Sequence, residues 1–126
     1  MTTIRSLLVP FALAPVLAFA QAGAEPPPES APISGDALQA AVSGKTFTYA
    51  ANTTGTTGRV QYQSGGFVYL NMSTGFTDSG KWRVEDDKLC YVFQRAPSVC
   101  APMRSRAGAL FVKRSSDGQW SQLMPQ

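Results

Sequence analysis

The stretch GKWRVEDDKLCYVF, residues 80–93, has the pattern of a β-hairpin with an acidic turn. With Asp86-Asp87 as a two-residue turn, Trp82 lies across from Tyr91. Successive side chains of a strand point to opposite faces of the sheet, so this register sorts the hairpin into two faces. One face collects Trp82, Val84, Leu89, Tyr91 and Phe93, and the other collects Lys81, Arg83, Cys90 and Val92. The first face is apolar and is therefore expected to face a core.

Upstream of this hairpin the alternation of period two continues. TFTYA, residues 46–50, alternates aromatic residues with threonines, and RVQYQSGGFVYLNM, residues 59–72, has the pattern of a second hairpin. With Ser64-Gly65 as its turn, Tyr62 pairs with Phe67. On that register one face carries Val60, Tyr62, Phe67 and Tyr69, and the other carries Val68, Leu70 and Met72.

Downstream, ALFVKR (109–114) and QWSQLM (119–124) flank the polar turn SSDG and predict a last hairpin. RAPSVCAPM, residues 95–103, contains two prolines, which predicts a segment that returns along a sheet edge. The total is about seven short strands with turn signals between them, the spacing of an antiparallel meander.

The segment ISGDALQAAVSGKTF, residues 33–47, carries the helix signal. Ser34 or Asp36 can cap the N-terminus, and Gly44 suits a left-handed C-cap. One stripe of this segment is apolar and is made of Leu38, Ala41 and Val42. The sequence therefore predicts a mainly β domain, a small antiparallel meander barrel or sandwich with one short N-terminal helix.

The N-terminal residues have the pattern of a secretory signal peptide. Arg5 precedes the apolar run LLVPFALAPVLAFA, residues 7–20, and several A-x-A cleavage sites follow. A membrane anchor is disfavoured, because Pro10 and Pro15 interrupt the run and it is shorter than the ~20 residues that span a bilayer. The predicted organisation is a signal peptide over 1–24, a Pro-rich flexible leader over 25–33 and a folded domain over 34–126, with no transmembrane segment after cleavage.

Cys90 and Cys100 are the two cysteines of the chain. In an exported chain a disulfide is the default for such a pair, and their spacing differs from the C-x-x-C of redox-active thiols. A loop of this size contributes on the order of 3 kcal/mol in the chain-entropy model. Since Cys90 lies on the polar face across from Arg83, we expect the bridge to pin an irregular segment over the outside of the sheet or at its edge.

The hairpin motif carries a resemblance. GKWRVEDDKLCYVF followed by Val99-Cys100, with the opening DALQAAVSGKTFTY (36–49), is similar to small exported bacterial domains of unknown function. In these domains a G-x-W strand, an acidic turn, an L-C strand and a second cysteine recur, and the similarity covers about residues 34–101. The resemblance implies a periplasmic or secreted bacterial protein. It supplies no activity and no active-site residues.

Charge and composition disfavour several kinds of site. From Glu25 onward ten basic and eight acidic residues leave a net charge of +2, too small to indicate nucleic acid binding. The chain has no histidine, which removes Ser-His-Asp and Cys-His catalysis and the commonest zinc ligand sets. Glu85, Asp86 and Asp87 splay from a turn into water, so neither a metal site nor a cofactor is predicted.

Six positive charges and no negative one lie between Lys88 and Arg114. Arginine is enriched at protein interfaces, so we take four arginines around the cysteine loop as a candidate partner-binding face: Arg83, Arg95, Arg104 and Arg106. The leading hypothesis is a non-catalytic periplasmic or secreted module that binds another envelope protein or an anionic surface through this face.

Two alternatives remain open. The aromatic residues of the sheet can line an apolar pocket in a small barrel that carries an apolar ligand, with tyrosine hydroxyls as its polar groups. The candidate pocket residues are Tyr62, Phe67, Tyr69, Trp82 and Tyr91. A carboxylate-dependent enzyme is the other alternative, and it requires two acids held across a cleft. No catalytic residue is assigned.

Overall fold

The computed structural model describes Pro10 and residues 25–126. The predicted signal peptide, residues 1–24, lies outside the described residues except for Pro10, which is exposed and has no regular structure. Within the described part of the chain, no helix has the length and apolar character needed to cross a bilayer.

Residues 25–126 are mainly β, with one short helix before the strands of the barrel, as the sequence predicts. The helix is α1 (Gly35–Val42), and the nine strands are β1 (Ala31–Pro32), β2 (Thr46–Ala50), β3 (Thr57–Tyr62), β4 (Phe67–Met72), β5 (Thr77–Glu85), β6 (Lys88–Phe93), β7 (Val99–Arg106), β8 (Ala109–Lys113) and β9 (Trp120–Pro125).

Eight antiparallel strands, β2 to β9, close into a barrel. Sequential neighbours pair from β2 to β9, and β2 also pairs with β9, which joins the two ends of the meander. The closing register places Phe47 across from Pro125 and Thr48 across from Met124. Of the two architectures that the sequence left open, the barrel is confirmed. Closure gives each of the eight strands a partner on both sides over at least part of its length.

The hairpin of β5 and β6 has the predicted register. Trp82 pairs with Tyr91, and Glu85 pairs with Lys88 across the Asp86-Asp87 turn. The predicted inner face is the barrel interior, where Trp82, Leu89 and Tyr91 are buried. Asp86 has a φ of 54°, a left-handed conformation that Asp tolerates better than most residues.

The predicted register of the β3–β4 hairpin is wrong by one residue. Tyr62 pairs with Val68 instead of Phe67. The loop has three residues, because Gln63 donates its N–H to the Phe67 carbonyl and Gly66 takes a φ of 93°. A one-residue slip moves every side chain of a strand to the other face. Val68 therefore lies inside the barrel, whereas Phe67 and Tyr69 lie outside.

The segment predicted to return along an edge, residues 95–103, leads into strand β7. Its residues 99–102 pair with β6, and the second half of β7, from Met103 onward, pairs with β8. Pro102 is tolerated there because pairing with β8 begins only at Met103, so the missing N–H of proline breaks no ladder bond.

Helix α1 closes one end of the barrel. Leu38 and Val42 are fully buried, in the same core cluster as Trp82 and Leu89. The N–H of Gly35 donates to the carbonyl of Asp86, which ties the start of the helix to the β5–β6 turn. The predicted apolar stripe is thus the buried face. Ser34 is the N-cap residue but makes no side-chain cap hydrogen bond, and Gly44 has the left-handed φ of 73° expected after the helix.

The Pro-rich leader, expected to be a flexible arm, contacts the barrel in its second half. Ala31 pairs with Ser105 in a two-residue extension of the sheet beside β7. Arg104 donates to the carbonyl and hydroxyl oxygens of Ser30, and Arg106 donates to the Pro28 carbonyl. Arginine side chains bond to the backbone of the leader, so the leader can dock on the barrel without apolar side chains of its own.

Candidate ligand-binding cavity

The barrel end opposite α1 contains a cavity of about 500 Å³. Its wall is apolar and aromatic, with Tyr49 from β2, Val60 and Tyr62 from β3, Leu70 and Met72 from β4, Tyr91 and Phe93 from β6, Val99 and Ala101 from β7, Val112 from β8 and Leu123 from β9. The rim is formed by the loops that include Ala96–Ser98 and Arg114–Ser116. This volume lies in the range of small-molecule sites, which are commonly apolar clefts with a few polar groups.

The cavity exists because the two ends of the barrel are filled differently. An eight-stranded barrel has an interior that side chains can just fill or that can hold one small ligand. At the helix end Leu38, Leu89 and Met103 fill the interior. At the other end Gly58 leaves room for an aromatic ring, since a Cβ at this position would lie 2.6 Å from the ring of Tyr49.

Two buried tyrosine hydroxyls bond to each other in the barrel interior. Tyr62 Oη and Tyr91 Oη are 2.7 Å apart, and both residues line the cavity. Burial disfavours the charged phenolate, and it raises the pKa of Tyr62 and of Tyr91 well above the ordinary value of 10.0. Both groups therefore stay protonated at physiological pH and remain hydrogen-bond donors.

Aromatic packing fixes the position of this pair. The Tyr62 ring makes edge contacts with Trp82 and Phe47, at centroid distances of 5.5 and 6.0 Å. Tyr91 stacks on Phe93 at 5.5 Å. Trp82 is held in turn, because its indole N–H donates to the Gln63 carbonyl at 2.9 Å. The two hydroxyls thus sit on a rigid support.

Tyr49 brings a third hydroxyl to the cavity. It donates to the Met72 thioether sulfur at 3.9 Å, a weak acceptor. Burial raises the pKa of Tyr49 above its ordinary value, so this hydroxyl is also neutral. The three tyrosines of the wall are therefore neutral, and the charged side chains that line the cavity, Lys113 and Arg114, come from the end of β8 and the loop after it.

One side of the rim is fixed by Arg114. Its guanidinium donates to both carboxylate oxygens of Asp117, to the Ser121 hydroxyl and to the Ala50 carbonyl. The hydrogen bonds from Arg114 lower the pKa of Asp117 below its ordinary value. The Arg114 side chain is 9% exposed, so it ties the β8–β9 loop to the end of β2 in a partly desolvated setting.

The other side of the rim is fixed by Asp78. Its carboxylate accepts the N–H groups of Ser79, Arg95 and Ala96 at 2.8 to 3.3 Å. Burial opposes ionisation of this carboxyl, but the backbone donors outweigh burial and lower its pKa. The loop after β6, which carries Ala96, is thereby held against the start of β5.

Of the five side chains predicted to line a pocket, Tyr62 and Tyr91 line this cavity. Trp82 lies deeper, packed on Tyr62 in the core. Phe67 and Tyr69 lie on the outer surface, 49% and 41% exposed, as a result of the register slip. Sequence reasoning missed Leu70, which the correct loop length would have turned inward. It also missed Tyr49, although the alternation in TFTYA was a usable signal.

The four candidate partner-face arginines do not form one free surface. Arg104 and Arg106 bind the leader. Arg95 lies over the Phe76 ring at 4.7 Å and donates to the Thr77 carbonyl. Arg83 is exposed and forms an ion pair with Glu85 at 3.0 Å. Their hydrogen-bonding groups are largely used within the chain.

Cys90 and Cys100 form a disulfide that joins neighbouring strands. The two residues pair directly between β6 and β7, with their Cα atoms 3.9 Å apart. The bridge lies outside the barrel interior, as expected, but the strand it joins to β6 is regular rather than irregular. Glu85 lies beside the sulfurs, with its carboxylate 3.5 Å from Cys90 Sγ. Metal binding at cysteine requires a thiolate, and these sulfurs are bonded to each other.

The outer wall of the barrel also carries an apolar row. Phe67, Lys81 and Val92 are cross-strand neighbours on β4, β5 and β6, and Val92 is 51% exposed. Lys81 separates the two apolar side chains. This row is the main alternative contact surface for an apolar molecule.

No protein-family model, curated protein or solved structure matches this chain. The resemblance to small exported bacterial domains therefore stays a prediction that rests on the GKW and cysteine motif. The cavity is therefore the feature of the structure that bears on function.

Proposed function

We propose that this protein is a non-catalytic binding protein that holds one small, mainly apolar molecule in the open end of its barrel. The observation that carries the proposal is the cavity of about 500 Å³, walled by aliphatic and aromatic side chains with three neutral tyrosines among them. Removing an apolar molecule from water into such a wall is favourable, at about 25 cal/mol per Å² of apolar surface buried.

The cavity supports this function better than the arginine face supports partner binding. Docking through Arg104 and Arg106 would compete with the hydrogen bonds by which they hold the leader. Binding of another envelope protein stays a prediction, as does binding to an anionic surface.

The acidic groups at the rim favour a binding role over carboxylate catalysis. Asp78 is saturated by backbone N–H donors, and Asp117 is paired with Arg114. Both carboxyls have lowered pKa values, which is unsuited to a general acid near neutral pH.

We place the protein in the bacterial periplasm or outside the cell. The cross-strand disulfide supports this location, since such bonds persist in oxidising compartments. The signal-peptide pattern of residues 1–24 supports it independently.

The test fills the cavity from the inside. In Leu70→Trp the larger ring enters the cavity, and in Tyr69→Trp the same ring lies on the outer face one residue away. Binding of 2-isopropenylnaphthalene, a rigid hydrocarbon, is followed by its fluorescence with the mature chain.

We expect binding to the wild type and to Tyr69→Trp, and a loss of at least about tenfold in affinity for Leu70→Trp because the site is occupied. Circular dichroism checks that both variants fold. Equal binding by all three proteins would place the probe elsewhere and contradict the proposal.

A further inference from the structure

The hydroxyl pair of Tyr62 and Tyr91 has one proton more than its internal bond uses. A tyrosine hydroxyl has one proton to donate and can also accept. The two groups together own two protons, and their mutual bond at 2.7 Å consumes one of them. Whichever hydroxyl donates in that bond, the other keeps an O–H without an acceptor among residues 25–126.

An O–H donor without an acceptor costs free energy at this buried position. Tyr62 is 2% exposed and Tyr91 is 8% exposed, so without a ligand only water that enters the cavity can bond to either group. An unsatisfied buried donor costs free energy, and buried polar groups are accordingly almost always bonded. Both residues line the cavity, where an acceptor on a bound molecule can reach the free proton.

Neighbouring groups do not supply that acceptor. Tyr49 donates to the Met72 sulfur and Trp82 donates to the Gln63 carbonyl, but within residues 25–126 neither acceptor receives a bond from Tyr62 or Tyr91. Lys113 and Arg114 also line the cavity, but they lie at and just beyond the end of β8, so the buried tyrosine pair is the polar feature of its deep part.

Resting on the proposed function, we infer that the natural ligand carries a neutral hydrogen-bond acceptor, a carbonyl or ether oxygen, at the end that enters the barrel first. Tyr62 and Tyr91 are the residues that recognise it. An anionic ligand end is disfavoured there, because no cation of the described chain contacts the pair and an unpaired buried charge is expensive. A wholly hydrocarbon ligand would leave the proton unsatisfied.

The experiment compares two probes of the same shape. 2-Acetylnaphthalene carries a carbonyl where 2-isopropenylnaphthalene carries a methylene group. Dissociation constants for both are measured by fluorescence with the wild type, Tyr62→Phe, Tyr91→Phe and the double variant Tyr62→Phe/Tyr91→Phe. Removing both hydroxyls without changing shape is expected to leave the fold intact, and thermal unfolding checks this.

In the wild type we expect the ketone to bind about fivefold more tightly than the hydrocarbon, the effect of one net hydrogen bond. A single variant leaves one hydroxyl with its proton free, so preference for the ketone persists in at least one single variant. In the double variant the two probes bind equally. Tyr69→Phe is the matched control, because it removes a tyrosine hydroxyl from the outer surface of the barrel, and the wild-type ratio is expected to persist.

The outcomes separate the two proposals. If both probes bind the wild type equally, the acceptor inference is overturned and the apolar-carrier function stands. If the ketone preference survives in the double variant, the tyrosine pair is not the donor and the inference is again overturned. If neither probe binds, the proposed function fails and this inference fails with it.

Discussion

At the scale of single residues, two glycines determine how closely neighbouring groups of the barrel can pack. Gly58 makes room for the Tyr49 ring, and Gly80 allows β5 and β6 to approach closely. A Cβ at Gly80 would lie 2.0 Å from the Val92 carbonyl oxygen, which is backbone and cannot rotate away. Gly80 is the glycine of the G-x-W motif, so part of that motif has a steric cause.

Gly80→Ala is therefore expected to destabilise the protein by about 1–3 kcal/mol, the usual range for overpacking. Gly65→Ala is the matched control, since a Cβ there meets nothing within 4 Å. Urea unfolding of both variants measures the difference. An unfolding free energy for Gly80→Ala equal to that of the control would show that the strands can separate at no cost.

The two rim carboxylates link stability to pH. The pKa values of Asp78 and Asp117 in the folded state lie below the ordinary value of 3.8. Each contributes stability that is fully present above that ordinary value and is lost as the pH falls through the folded-state pKa. We expect stability to decline below about pH 4.

The measurement is the midpoint of urea unfolding between about pH 6 and pH 2.5. Asp78→Asn removes one of the two titrating groups and is expected to flatten the acid limb of the curve while lowering stability at neutral pH. An acid limb unchanged in this variant would contradict the role of Asp78.

At the scale of elements, the sequence predicts a hairpin correctly where its turn residues and its apolar alternation indicate the same register. The β5–β6 hairpin was predictable because Asp86-Asp87 leaves little choice of loop length. The Ser64-Gly65-Gly66 stretch permits both a two-residue and a three-residue loop, and each puts a different set of apolar side chains inside. Since β4 is apolar on both faces, its pattern did not decide between them.

The sequence does not predict that the leader docks on the barrel, because the hydrogen bonds of Arg104 and Arg106 mainly reach backbone carbonyls, which any residue offers.

The sequence also does not predict which strands close the barrel, since Phe47 pairs with Pro125 across nearly the whole domain. The cysteine pair was predictable from composition and from the predicted signal peptide. The regular strand that carries Cys100 was not, because the prolines of the segment 95–103, Pro97 before the strand and Pro102 within it, suggest an edge.

The disulfide adds a covalent link between two strands, β6 and β7, that already pair with each other. Cys90→Ala/Cys100→Ala is expected to lose up to about 3 kcal/mol of unfolding free energy, because the unfolded chain gains freedom. Probe binding should persist, since the bridge lies outside the cavity. Reducing the wild type with dithiothreitol should reproduce the loss and leave the variant unchanged. Wild-type stability that is insensitive to reduction would argue against a structural role.

At the scale of the whole molecule, the barrel has one packed end and one open end. Helix α1 inserts Leu38 and Val42 into the first, and the second keeps an apolar cavity under a rim held by Asp78 and Arg114. This asymmetry links the sequence to the proposed function. The alternation of period two along the strands directs apolar side chains into the barrel, and at the open end these side chains form the wall of the binding site.

The most direct test of a ligand site in the open end is a methyl NMR titration of the oxidised mature protein with 2-acetylnaphthalene. We expect saturable shifts in the cavity methyl groups, those of Val60, Leu70, Val99, Val112 and Leu123. Leu38 and Val42 at the helix end and Val92 on the outer wall are expected to stay unchanged. Shifts centred on Val92, or no saturable shift in the cavity methyl groups, would contradict a ligand site in the open end.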